Sequence, residues 1–104
     1  MAVHEVPLKG SGRVELAAYG VADAEHQVEK EVRAAWPEAR VEVLEVSRAG
    51  ARGRIVEEFA VSYRVRGTVT VEVEDAKEAR RTALREVRGR LAGTRHARIA
   101  WDPE

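Results

Sequence analysis

Residues Ile55 to Glu74, IVEEFAVSYRVRGTVTVEVE, alternate apolar and polar side chains almost without interruption. Phe59, Val61, Tyr63 and Val65 share one parity, and Val69, Val71 and Val73 continue it beyond Gly67. A period of two is the signature of a strand with one buried face. Its length is well beyond the usual strand of about five or six residues. A strand of that length needs partners along its whole course, and this requirement limits the folds open to the chain.

Only one domain can be built around it. The chain has 104 residues, enough for a single modest core. Its 44% hydrophobic content is that of a globular protein, and 35% charge with a mean hydropathy of -0.41 implies a well-solvated surface. No apolar run approaches the roughly 18 residues of a membrane span, and the N-terminal stretch MAVHEVPLKG lacks the basic and apolar regions of a signal peptide. With no cysteine, disulfides, thiolate metal sites and cysteine nucleophiles are excluded. A cytoplasmic location is the expectation.

The other elements follow from periodicity and punctuation. Val3 to Leu8 and Arg13 to Tyr19 read as strand, with Gly10-Ser11-Gly12 between them as either a tight turn or a bulge. Asp23 is the expected N-cap of a helix whose buried stripe is Ala24, Val28, Val32, Ala35 and Trp36, ended by Pro37. Arg40 to Val46 is the next strand, and Ser47 to Arg54 a glycine-punctuated hairpin loop. Asp75 and Glu78 form a capping-box pattern before a second helix. Ala76, Ala79, Ala83, Val87 and Leu91 give its stripe, Leu84 widens it, and Gly93 is the expected cap. A last strand, Ala97 to Trp101, would bury Ala97, Ile99 and Trp101.

The order is β-α-β-β-α-β, and sliding the chain by 55 residues exposes a repeat without a gap. Gly12 falls on Gly67, Val14 on Val69, Glu31-Val32-Arg33 on Glu86-Val87-Arg88, and Trp36 on Leu91. Two equal β-α-β units imply an α+β ferredoxin-like plait over 1-104, with 1-47 and 55-104 as pseudo-repeat halves. Its helices lie on one face of an antiparallel sheet, with the first and third strands central. Strand two, with Val41 and Val43 against Leu44 and Val46, reads as apolar on both sides. A second apolar face calls for cover, and a homo-oligomer is the simplest.

Residues 14-66, above all RVEVLEVSRAGARGRIVEEFAVSYRV, resemble the dodecin family of small flavin-binding proteins, whose β-α-β-β subunits assemble into hollow dodecamers. The matching pieces are a strand ending in Gly20, the helix 23-36, Val41-Glu42-Val43, the glycine loop, and Ile55 to Phe59 leading into the long strand. Residues 75-101 would then complete the shorter subunit into a plait. The resemblance implies assembly and, as cofactor, flavin. Where flavin-binding dodecins place a stacking tryptophan and a hydrogen-bonding glutamine, however, this chain has Arg40 and Ala60. The expectation is therefore a non-enzymatic assembly protein holding a small planar or anionic ligand between subunits.

Candidate ligand-binding residues are Arg40, Arg48, Arg52, Arg54, Phe59 and Tyr63. The three arginines around Gly50 and Gly53 could grip a phosphate with backbone donors nearby. Trp36 and Trp101 fall on buried parities and read as core. His4 and His96, with Asp102 or Glu5, would make a zinc set if the first and last strands brought them together, but the spacing matches no zinc motif and no metal is assigned. Ser11, Ser47 and Ser62 lie in no nucleophile elbow, so no enzyme is expected.

Charge supplies the alternative. Residues 1-47 hold five basic against nine acidic side chains, and 48-104 hold thirteen against nine. Lys77 to Arg98 alone carries eight basic residues against Glu78 and Glu86. Solvated helix faces laced with ion pairs would explain this. So would an interaction module that binds a protein or nucleic acid through Arg81, Arg85 and Arg88. Arginine far outnumbers lysine, a composition seen in thermophiles.

Overall fold

In a computed structural model, which describes residues 2-50 and 55-103, six elements follow in the order β1 (Ala2–Ala18), α1 (Val21–Ala35), β2 (Arg40–Arg48), β3 (Glu57–Val73), α2 (Ala76–Leu91) and β4 (Ala100–Trp101). The four strands form one antiparallel sheet in the order β2-β3-β1-β4. This is an α+β fold compatible with a ferredoxin-like plait, its fourth strand reduced to two residues.

The ladder between β1 and β3 is the backbone of the molecule. It runs without a register shift from Ala2 opposite Val73 to Ala18 opposite Glu57. The glycines of β1 are therefore neither a turn nor a bulge, and β1 is a single strand of 17 residues. They are notches for side chains. A Cβ on Gly12 would stand 2.6 Å from the Tyr63 hydroxyl, one on Gly67 2.7 Å from Cζ2 of Trp36, and one on Gly10 2.6 Å from Cγ2 of Ile99. The Tyr63 and Trp36 rings lie over strand positions that carry no side chain.

One face of the ladder is buried over most of its length. Val6, Leu8, Val14, Leu16 and Ala18 of β1 meet Phe59, Val61, Tyr63, Val65, Val69 and Val71 of β3 on it. Both helices lay their stripes there, α1 through Ala24, Val28 and Val32, α2 through Ala79, Ala83, Val87 and Leu91. Each helix, about 22–24 Å long, spans under half of a ladder of roughly 56 Å. α1 leaves the Ala18 end and returns to Arg40, level with Lys9; α2 leaves the Val73 end and returns to Ala100, level with Ser11. The helices thus run from opposite ends toward the middle, and the molecule is a rod of 57 × 22 × 19 Å. Its radius of gyration, 15.6 Å, exceeds the about 13 Å of a globular chain this long.

Local signals resolve in instructive ways. Asp75 caps α2 as expected, accepting from the Glu78 N–H at 2.9 Å. α1 starts two residues before Asp23: Gly20 is the N-cap, and Asp23, three residues in, reaches back to accept from the Tyr19 N–H at 2.9 Å. The bond differs from that of a capping box in reaching the residue before the cap rather than the cap itself. At the end of α2, Thr94 rather than Gly93 closes the helix, its N–H and hydroxyl both donating to the Leu91 carbonyl. Ala76 and Ala97, expected to be buried, are exposed.

The expectation that β2 is apolar on both sides is overturned. A register shift between Val43 and Glu45 restores Val46 to the face of Val41 and Val43, opposite Val61 of the core. Only Leu44, at the bulge, is left largely in solvent.

Candidate functional site

The face of the sheet away from the helices has no helix covering it. Its side chains are Glu5, Pro7, Lys9, Ser11, Arg13 and Glu15 on β1, facing Thr70, Thr68, Arg66, Arg64, Ser62 and Ala60 on β3. Arg40 and Glu42 of β2 lie opposite Arg66 and Arg64. The register therefore places Arg40, Arg66 and Lys9 in one straight row across three strands. Directly opposed residues have Cβ atoms about 4.5–5.5 Å apart, and like charges so placed destabilise a sheet.

Glu38, Glu42 and Asp102 lie near this row without pairing with it. Among the described residues, none of the three makes an ion pair, although the surrounding charges do: Arg64 lies 3.7 Å from Glu42 and Arg13 3.9 Å from Glu15. Asp102, beside Lys9 beyond the end of β4, is held by its backbone N–H to the Lys9 carbonyl at 2.8 Å. Two grooves border the row. One of about 360 Å³ is floored by Pro7, Leu8, Gly67 and Thr68, with Glu38 at its rim; one of about 430 Å³ is lined by Arg64, Glu42 and Val41 together with the cations. Such an arrangement is chemically an anion seat, with Arg66 at the centre able to present a fork of N–H donors.

The residues named from sequence scatter. Arg40 is part of the row. Arg48 is engaged elsewhere, its Nε donating to Glu57 at 2.6 Å, and Arg52 and Arg54 lie outside the described residues. Phe59 and Tyr63, expected to contact ligand, are core side chains 2% and 1% exposed on the helix-covered face. Ala60 does lie on the open face, 3% exposed between Glu15 and Ser47. Trp36 and Trp101 pack edge to face at 5.9 Å inside the molecule, Trp36 also donating its indole N–H to the Thr68 carbonyl. His4 and His96 do not meet: His4 lies opposite Val71, while His96 bonds Tyr63, which lies opposite Gly12. Eight strand positions, roughly 26 Å, separate those levels. Arg81, Arg85 and Arg88 are exposed on α2, on the other side of the molecule.

Lys9 and Arg66 were not legible as site residues. Their parity marks them as outward, but only the register brings them level with Arg40.

A second polar constellation is internal. His96, 1% exposed, is bonded by Nδ1 to the Tyr63 hydroxyl and by Nε2 to Glu31, each at 2.8 Å. Arg95 grips the same carboxylate through Nε at 2.8 Å and through a second guanidinium nitrogen. This hydrogen bonding to Arg95, reinforced by His96, holds the Glu31 carboxyl below its ordinary range, and Glu31 in turn holds Arg95 above its own. An ionised Glu31 only accepts, so His96 Nε2 donates to it, and in the neutral imidazole Nδ1 then accepts from the Tyr63 hydroxyl. The chain imitates a base–orienter relay. Yet burial pushes the Tyr63 hydroxyl up to about 12, and Gly12 closes over it, which makes it a poor nucleophile and an effective structural bond.

Comparison with protein-family models, with curated proteins and with solved structures finds no match to this chain.

Proposed function

We propose that this protein is a non-catalytic binding module of the ferredoxin-like plait, with a two-fold pseudo-repeat about the Gly10–Val65 pair, that takes a small anionic ligand on its open sheet face. The observation that carries this reading is the row of Arg40, Arg66 and Lys9, three cations directly opposed and without carboxylate partners among the described residues. An arrangement that costs stability in the empty protein makes physical sense where an anion relieves it. Phosphate-, sulfate- or carboxylate-bearing ligands fit the forked guanidinium donors.

The pseudo-repeat has geometric support. An offset of 55 carries Ala2–Ala18 onto Glu57–Val73 and the start of α1 onto the start of α2. β4 breaks it, because Ala100 occupies the position opposite Ser11 that the offset assigns to Arg95.

Thermal melting tests the ligand reading. Inorganic phosphate or pyrophosphate should raise the melting temperature relative to chloride at equal ionic strength, and Arg66→Gln should abolish the rise while itself stabilising the protein in low salt. Equal melting in phosphate and chloride, or an undiminished rise in Arg66→Gln, overturns the proposal.

Subunit association, which the dodecin resemblance implies, is favoured by a different feature. At the Ala18–Glu57 end of the rod, Tyr19 and Ile55 are 74% and 83% exposed, with Val21 and Val56 beside them. A second copy of the chain is the occupant this apolar tip would take.

A further inference from the structure

The outer side of α2 carries a second cationic surface, independent of the sheet face. Lys77, Arg81, Arg85 and Arg88 are all exposed, and their spacing of four, four and three residues aligns them on one helix face. The eleven helical rises between Lys77 and Arg88 make a ridge of about 16 Å. None of the four makes an ion pair among the described residues. The acids of this region are occupied or peripheral. Glu86 is held by Arg90 at 2.9 Å, Asp75 caps the helix, and Glu78 lies in the first turn, where the helix dipole favours it.

Gly89 is the independent observation. It lies one turn beyond Arg85, exposed, in the last turn of α2, and a Cβ added to it would meet nothing within 4 Å. Neither packing nor backbone conformation requires glycine there, and within a helix glycine is less stable than alanine. A bare backbone at the ridge's rim permits close approach by a partner.

We infer that this ridge binds the phosphodiester backbone of double-stranded nucleic acid. Its chemistry selects that partner over others. A membrane-surface helix would present an apolar strip beside its cations, and a protein interface an apolar or aromatic anchor; the ridge presents neither, since Leu84 is mostly turned inward and the other apolar residues of α2, apart from Ala76, are buried. Single strands are held by stacking bases on aromatic rings, and α2 carries none. Arginine-rich, linear and unpaired, the surface matches a repeating row of phosphates. Binding is electrostatic and independent of sequence.

Fluorescence anisotropy of a labelled, mixed-sequence DNA duplex titrated with the full chain tests this. Affinity should fall linearly with salt on logarithmic axes with a slope of about -3 to -4, the value for up to four phosphate contacts. The double variant Arg81→Gln/Arg85→Gln should weaken binding at least tenfold and lower the slope by about two. Gly89→Ala should raise the melting temperature and yet weaken binding, a combination that damage to the fold would not produce. Lys30→Gln, at an exposed lysine of α1, should bind as the parent does. Absence of duplex binding at low salt, or undiminished binding in the ridge variant, overturns the inference. Equal affinity for single-stranded DNA overturns the assignment to a duplex.

Discussion

Gly12 and Tyr63 are one structural unit. The ring of Tyr63 lies across Gly12, and its hydroxyl stands 2.6 Å from where a Cβ would be, anchored at the same time to His96. The side chain cannot yield without breaking that bond or displacing the core beside it. Gly12→Ala should therefore cost about 1–3 kcal/mol, as overpacking of a dense interior does. In a Tyr63→Phe background, where the hydroxyl is gone, the same substitution should cost less. Urea denaturation of the two single variants and the double variant measures the coupling, and strict additivity would show that the contact does not set Gly12. The glycines of β1 and β3 were visible in the sequence as irregularities, but not as notches. A missing side chain reads alike for a turn, a bulge or a close approach until the opposing ring is placed.

At the level of elements, the decisive joint is between α1 and the segment after α2. Glu31 of α1 is bonded by His96 and Arg95, and His96 reaches on to Tyr63 of β3. Because hydrogen bonding to Arg95 holds the Glu31 carboxyl below the ordinary carboxylate value of 4.5, this joint contributes stability that is present above that pH and lost as pH falls through the lower folded value. Tyr63 behaves oppositely. Burial raises its hydroxyl from 10.0 to about 12, so its contribution is complete below pH 10 and disappears between about pH 10 and 12. The urea midpoint should decline at both extremes; Glu31→Gln should flatten the acid decline and Tyr63→Phe the alkaline one. An unchanged alkaline limb in Tyr63→Phe would refute the assignment. Most of each helix stripe, the Asp75 cap and the parity of the long strand were readable because each depends on neighbours within a few residues. This joint was not, since Glu31 and His96 are 65 positions apart in the chain.

The whole molecule is asymmetric despite its repeat. Over the half nearest the Ala18 end, β2 completes a three-stranded sheet; over the other half β1 and β3 run as a two-stranded ribbon beneath α2, because β4 stops after pairing Gly10 and Ser11. With Tyr19 and Ile55 exposed at one end, the proposed association would be end to end. Light scattering at micromolar concentration should give a multiple of the 11.5 kDa chain mass, and Tyr19→Ser/Ile55→Ser should shift it toward the monomer. A monomeric parent protein overturns the proposal. Of the described helices, none is long and apolar enough to cross a membrane.

By itself the sequence determined the order of elements, the buried parity of the long alternating strand, most of the buried stripe of each helix and the 55-residue offset. All of these are periodic or local properties, written in consecutive residues. Only the tertiary structure decided that the long alternation from Glu57 to Val73 pairs unbroken with one equally long strand, that the helices lie end to end along it, and that the bulge at Leu44 turns Val46 inward. It also decided which charges stand together. Lys9, Arg40 and Arg66 lie far apart in the chain, and their shared row depends on register, where a shift of one residue would reverse the face that every side chain occupies.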